Sequence, residues 1–459
     1  MKKAHGGFIK ILGLVVIVIV VGLGIVMLTF EKNAPSIEAT QKVWNLKDNL
    51  SFKISDDSPI KSYSVFLLAN GQRIPLEAIS QDSSECGGGE KNSICIGVKK
   101  PQNIKSNTKL LSFEVVATDS SKWNFFSGNT AKEQFDIIVD IKRPEVAIVG
   151  NSYKITKGGS ALVIFRAVDE NLDSITINNG NLDFKAMPFY KDGYFISLLA
   201  WSKLNDNFSA KIIAKDSAGN VSITPIPYFL QNREYKTSTI PLTDKFIDGK
   251  ISSLVEEIGE KSLSDFENKV DIFKYINEEI RDYSFNRIFS VANKIDDSDF
   301  INDFKISPFS PLRNGAVMAN FGDFRSFSYE GEIVSTSNHM GLDLASIKQA
   351  PVLLSNAGVV TLNEFVGIDG NTLVINHGLG LSSLYAHLTS VNVSVGDSVS
   401  SGIILANTGA TGLALGDHLH FGILVQGYEV RVAEWMDSQW IKLNIIDVIN
   451  SAKEVIDRI

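Results

Sequence analysis

Gly416-Asp417-His418-Leu419-His420-Phe421-Gly422-Ile423-Leu424-Val425 decides how the C-terminal third of this chain is built. Leu419, Phe421, Ile423 and Val425 recur at every second position, with His418, His420 and Gly422 alternating among them, which is the two-residue period of a β-strand. Their side chains share an apolar face, and His418 and His420 point together to the other, about 6.5–7 Å apart along the strand. Imidazole is the commonest metal ligand and carries protons near neutral pH. Two imidazoles at that separation suit two ligands of one zinc. They equally suit one ligand beside one imidazole within reach of a metal-bound water.

Only six histidines occur in the chain, and five of them lie between His339 and His420. His339 and Asp343 are four apart in His339-Met340-Gly341-Leu342-Asp343, so one short segment supplies an imidazole and a carboxylate. Three protein ligands, His339, Asp343 and His420, leave a fourth position for solvent, which marks a catalytic rather than a structural zinc. His387, in Leu384-Tyr385-Ala386-His387-Leu388, is a further imidazole that can share general acid–base duty and oxyanion stabilisation with His418. His377, in Ile375-Asn376-His377-Gly378, reads as a hairpin-edge residue making a structural hydrogen bond. Singly these fragments arise by chance; together in one 82-residue window they specify a zinc site.

Outward from that window, a chain of 459 residues exceeds one core and is expected to divide into about three or four domains. A formal net charge of -8 leaves no basic stripe to neutralise phosphates, which excludes a nucleic-acid binder. Ile11–Phe30 is an uncharged run dominated by Val, Ile, Leu and Gly, preceded by Lys2, Lys3 and Lys10. Twenty residues match a bilayer core, and the lysines hold the short N-terminus in the cytoplasm. The run is longer than a signal-peptide core, and Phe30-Glu31-Lys32 offers no small-residue cleavage site, so an uncleaved anchor is expected. Cys86 and Cys95, the only cysteines, bracket Gly87-Gly88-Gly89 and are expected to pair in an oxidising compartment.

Between Pro35 and Gln231 short strand-like runs recur, such as Leu111–Val116 and Phe135–Val139. Val116-Ala117-Thr118-Asp119-Ser120 is echoed about 97 residues later by Ile213-Ala214-Lys215-Asp216-Ser217-Ala218-Gly219-Asn220, the repeat length of an immunoglobulin-like sandwich. Ser264-Asp265-Phe266-Glu267 has the form of a capping box, and Phe266, Val270, Phe273, Asn277 and Ile280 follow at helical spacing. That segment reads as a helical connector; the sharper alternative is a regulatory segment covering the site. From Ser307 strands return, including Val359–Leu362, Thr372–Ile375 and Ile403–Ala406, and the residues after Trp440 form an amphipathic helix.

The expected architecture is therefore mainly β. It comprises a cytoplasmic tail (1–10), a transmembrane anchor (11–30), two Ig-like β-sandwich modules (35–142 and 143–232) and a short helical connector (240–300). A C-terminal antiparallel β-sheet metallopeptidase domain (306–440) and a closing helix (441–459) complete it.

Residues from about Ala319 to Asp437 resemble a lysostaphin/LytM-type zinc metallopeptidase domain. The likeness runs through Phe321-Gly322-Asp323-Phe324-Arg325, His339-Met340-Gly341-Leu342-Asp343, Leu384-Tyr385-Ala386-His387-Leu388 and Val395-Gly396-Asp397-Ser398-Val399. It continues through Thr408-Gly409-Ala410-Thr411-Gly412, Gly416-Asp417-His418-Leu419-His420-Phe421 and Glu434-Trp435-Met436-Asp437. The resemblance implies one Zn2+ held by His339, Asp343 and His420, with His387 and His418 catalytic. It implies hydrolysis of peptide cross-links in bacterial peptidoglycan, with stem peptides as substrate, by a single-pass inner-membrane protein whose catalytic domain is extracytoplasmic. The alternative is an inactive peptidoglycan-binding activator of another hydrolase, but such relatives lose metal ligands and all five positions are filled here. An adhesin whose Ig-like modules do the work leaves the histidines unexplained. The cleaved bond, the partners and the oligomeric state are not legible. Two departures from the family pattern stand out. Val430-Arg431-Val432 replaces a Val-Asn-Pro run, and the oxyanion-stabilising tyrosine has no secure counterpart, Tyr329 being the candidate stand-in. Arg325 suits either a substrate carboxylate or a structural salt bridge.

Overall fold

A computed structural model of the chain describes residues 12–18, 20, 31–87, 92–102, 104, 105, 107–295 and 304–458. The anticipated tail (1–10) and most of the anticipated span Ile11–Phe30 lie outside these; residues 12–18 and 20 are helical. No helix among the described residues is long and apolar enough to cross a membrane. The rest is mainly β, and its residues divide into two compact units.

The first unit, residues 1–143 with 171–173 and 215–221, holds two sheets. The strand Leu110–Asp119, which contains the expected Leu111–Val116 run, pairs antiparallel with Ile60–Ala69 and Thr130–Val139. Leu50–Ser55 centres the other sheet beside Ser93–Val98. Phe52, Ile54 and Ile96 from one sheet and Val65, Phe113 and Val115 from the other close a single core, as alternation along each strand requires. Cys86 and Cys95 form the expected disulfide.

The second unit, residues 144–170, 174–214 and 222–459, is built on an eight-stranded sheet. Leu342–Ala345, Leu419–Val425, Leu381–Ala386, Gly370–Asn376 and Gly358–Val366 lie side by side in that order, each antiparallel to the next. Both faces are buried, for different purposes. Leu419, Phe421, Ile423 and Val425 face a core shared with Leu162, Ile164, Ile196 and Leu198 of the paired strands Ser160–Val168 and Tyr194–Ala200. Leu424, on the other face, packs with Leu384, Val374, Leu362 and Val366 under Ile288 and Ala292 of the helix Arg281–Ala292. His420 belongs to this second face, two steps along from Leu424.

The helical region spans Asp244–Ile258 and Lys269–Ala292 and is packed rather than free. Ile247, Ile251, Phe273, Ile276 and Ile280 close a core with Phe327 and Ile368 of the sheet domain. The capping box falls two residues earlier than the sequence suggested: Ser262 caps, its reciprocal partner is Asp265, and Asn268 caps the next helix. Asn268 accepts from the Asp271 amide, a stronger start signal than Ser264 because its side chain reaches the third helical residue.

Glu434 is 2% exposed, accepts from the Ser160 amide at 3.1 Å, and has Arg431 Nη1 at 3.5 Å. Burial pushes its carboxyl up to about 7, against the pull of Ser160 and Arg431. Its folded value lies above the unfolded one, so its stabilising contribution is complete below about pH 4.5 and lost as pH rises to about 7. A shift of that size is on the order of 3 kcal/mol. The melting temperature should therefore fall from pH 5 to pH 8, and Glu434→Gln should flatten the slope; parallel slopes would rule out this origin.

Candidate metal centre

Antiparallel pairing sets Asp343 directly opposite His420, so their side chains rise from the same face. His339 ends the segment after the strand Glu332–Asn338, and its amide donates to the Asp323 carbonyl at 2.9 Å. His339 Nε2, Asp343 Oδ1 and His420 Nδ1 then converge: 2.9 Å, 2.9 Å and 3.1 Å separate the three pairs. Gly341 makes this approach possible, because a Cβ there would overlap the His420 imidazole.

These three residues could hold a metal ion. Two imidazoles and a carboxylate are a usual donor set for a divalent transition metal. His339 Nδ1 lies 2.8 Å from the Asn320 carbonyl. Donation there reserves the Nε2 lone pair for the cluster. Donor separations of 2.9–3.1 Å are slightly inside the roughly 3.4 Å edge of a tetrahedron with ~2.1 Å bonds, so small outward movements suffice.

The other two histidines stand against this cluster. The rings of His387 and His418 are 4.8 Å apart, and His387 is 5.8 Å from the His420 ring. His387 Nδ1 donates to the Thr411 carbonyl at 2.9 Å and His418 Nδ1 to the Gly416 carbonyl at 2.8 Å. Each thereby keeps Nε2 free, and that of His418 is 3.7 Å from Asp343 Oδ1. His387 adopts φ +62°, a left-handed conformation that side chains seldom take. The Asp369 carbonyl holds it there by accepting from its amide at 2.8 Å.

Burial dominates the electrostatics of the individual groups. It drives His387 well below the usual imidazole range, helped by the charges of His420 and His418. It also lowers His339, against the hydrogen bond to Asp343. Burial works against ionised Asp343, but hydrogen bonds from His339 and His420 outweigh it and hold the carboxyl far below its ordinary value. His420 is raised, since Asp343 overcomes the burial that would lower it. Ligation needs the ionised carboxylate and neutral imidazoles, so a bound metal would displace the proton that Asp343 favours on His420.

Sequence reasoning thus named five residues that the fold brings to one place. It also separated His377, whose Nδ1 lies 2.8 Å from the Ala357 carbonyl and whose Nε2 lies 2.7 Å from Ser383 Oγ. Burial lowers that imidazole to about 4. Tyr329 is not at the site: it lies at the far end of its strand, and its hydroxyl donates to Asp244 Oδ1 at 2.7 Å. The carbonyls of Asn320, Thr411 and Gly416, which set the histidine tautomers, were missed. Backbone acceptors leave no mark in residue identity, although the glycines around Thr411 and Gly416 signal tight turns there.

Residues 337–432 match Peptidase family M23. The DD-carboxypeptidase/endopeptidase Mpg of Neisseria meningitidis is 36% identical over 93 residues, which cover 20% of this chain and 21% of that protein. The peptidoglycan DD-endopeptidase ShyA of Vibrio cholerae is 37% identical over 93 residues, covering 20% of this chain and 22% of that protein. The chain thus spans about a fifth of the length of these curated relatives. The catalytic domain of lysostaphin from Staphylococcus simulans is 25% identical, with a TM-score of 0.24, and covers 27% of this chain and 94% of that domain.

Proposed function

We propose, from the premise that residues 337–432 are a Peptidase family M23 domain, that this chain is a zinc endopeptidase hydrolysing peptide cross-links of bacterial peptidoglycan. The observation that carries the reading is the convergence of His339 Nε2, Asp343 Oδ1 and His420 Nδ1 beside two histidines whose Nδ1 atoms are committed to carbonyls. The names of the peptidoglycan DD-endopeptidase relatives supply the substrate class. Zinc bound there would act as a Lewis acid, polarising the scissile carbonyl.

The chain's own groups do the rest. His387 is neutral at pH 7 because burial opposes its protonation, so Nε2 can take a proton from the attacking water. The protonated Nε2 then returns that proton to the leaving amide nitrogen, directly or by passing it through Nε2 of His418. Thr411 and Gly416 keep both rings in the required tautomer throughout. Upstream, we assign Ile11–Phe30 as a single-pass anchor that leaves the catalytic domain outside the cytoplasmic membrane, with Ig-like modules at 35–142 and 143–232 as spacer. The charge pattern Lys2, Lys3 and Lys10 supports that orientation.

The test is a digest of purified, cross-linked peptidoglycan resolved by mass spectrometry. Conversion of cross-linked dimers to monomers, stopped by a chelator and restored by zinc, is the expected outcome. Intact dimers with the zinc-loaded protein would favour the activator alternative instead.

A further inference from the structure

Ser284, on the helix Arg281–Ala292, is 1% exposed. Its Oγ donates to the Ile280 carbonyl at 2.9 Å, the usual bond of a serine to its own helix. The same oxygen accepts from the Ile368 amide at 3.1 Å and lies 3.3 Å from the Val366 carbonyl. One hydroxyl therefore joins the helix to the short turn Gly367–Asp369 of the catalytic sheet. Gly367 permits so close an approach. It stands at φ +43°, and a Cβ there would fall 2.5 Å from Ser284 Oγ and 2.7 Å from Ile280 Cγ2.

This turn governs His387 by two routes. Asp369, at its end, offers the carbonyl that keeps the His387 backbone at φ +62°. A left-handed residue other than glycine persists only where its surroundings enforce it. The second route reaches the ring. The Ile368 carbonyl accepts from the Leu413 amide at 2.7 Å, and the Asn371 amide donates to Thr411 Oγ1 at 3.0 Å. Those bonds locate the segment whose Thr411 carbonyl receives His387 Nδ1. Ile368 thus gives its amide to the helix and its carbonyl to the support of the imidazole.

Resting on the endopeptidase reading above, we propose that Ser284 is a positioning residue for the reaction, seating the turn Gly367–Asp369 so that His387 Nε2 stays at the metal centre. The helix lies upstream of residues 337–432, so the working centre extends beyond the family-matching domain. Without the hydroxyl, the Ile368 amide loses its acceptor inside a buried turn, and the turn must shift to recover one. The imidazole then spends less time within reach of the attacking water. None of the three converging donors is touched.

The test uses the full chain in detergent, a cross-linked muropeptide dimer and Ser284→Ala. The turnover number should fall on the order of 10-fold, since a 1 Å displacement can cost about 10²-fold. KM should stay constant and zinc remain at one equivalent, the pattern of a group that serves only the chemical step. In a His387→Ala background, adding Ser284→Ala should change the residual rate less than about two-fold, because nothing is left to position. Gly367→Ala should repeat the loss and add little to Ser284→Ala. Amide exchange needs no turnover: protection over residues 384–389 should drop about 10-fold in Ser284→Ala, while that of Leu419–Val425 holds. An undiminished turnover number, or undiminished protection at His387, overturns the proposal and leaves the endopeptidase reading standing. Equal loss in the His387→Ala background, loss of zinc, or protection lost across the whole sheet overturns it too, marking Ser284 as a keeper of the fold alone. A wild-type chain that cleaves no dimer sinks the endopeptidase reading, and exchange then decides by itself whether Ser284 holds His387.

Discussion

Asp343→Asn is expected to abolish zinc binding and reduce cross-link hydrolysis by about 10⁴-fold or more, a loss of roughly 5.5 kcal/mol or more of transition-state stabilisation. Oδ1 of this residue touches both His339 Nε2 and His420 Nδ1 at 2.9 Å, and no other carboxylate shares the group that could hold the ion. Asparagine keeps the shape but removes the charge, and its amide can direct a donor at the two imidazoles it must now serve. The same change removes the largest influence that raises His420, leaving only Asp369 and Glu429 to oppose its burial. Zinc content by atomic absorption, read alongside muropeptide turnover and a far-ultraviolet circular dichroism spectrum, checks this. A folded variant that keeps one zinc and cleaves dimers would end the assignment of Asp343 as a ligand.

His387→Ala should separate chemistry from metal. The ring faces the cluster but is not one of the three converging donors, so zinc should remain at one equivalent while the rate falls on the order of 10²–10⁴. Truncation also frees the Thr411 carbonyl, which Thr411 Oγ1 cannot satisfy because it already donates to Leu388. The left-handed backbone at this position is retained by alanine at little added strain, so a folding defect is not the expected cause of inactivity. Single-turnover rates with measured zinc content decide it. Loss of metal together with activity would reassign His387 as a ligand.

Much of the catalytic sheet was legible because alternation and ligand spacing are local properties. Leu419 to Val425 declare a strand with one apolar face, and that pattern alone orients His420. Convergence of His339 with His420, eighty-one residues apart, rested on ligand chemistry and on likeness to a family rather than on any local pattern, since pairing register is a long-range outcome. Tyr329 misled for the same reason. Being on the right strand did not place it near the centre, because four residues of extended chain span about 13 Å. The capping box slipped because Ser262, Ser264 and Asn268 are all competent caps, and only packing of Phe273 and Ile276 selects among them.

The helix Arg281–Ala292 covers Leu424 and Leu384 on the very face from which His420 rises. One strand thus serves two ends: around Leu424 it is clamped by the helix, and that anchorage holds the backbone from which the His420 ring projects.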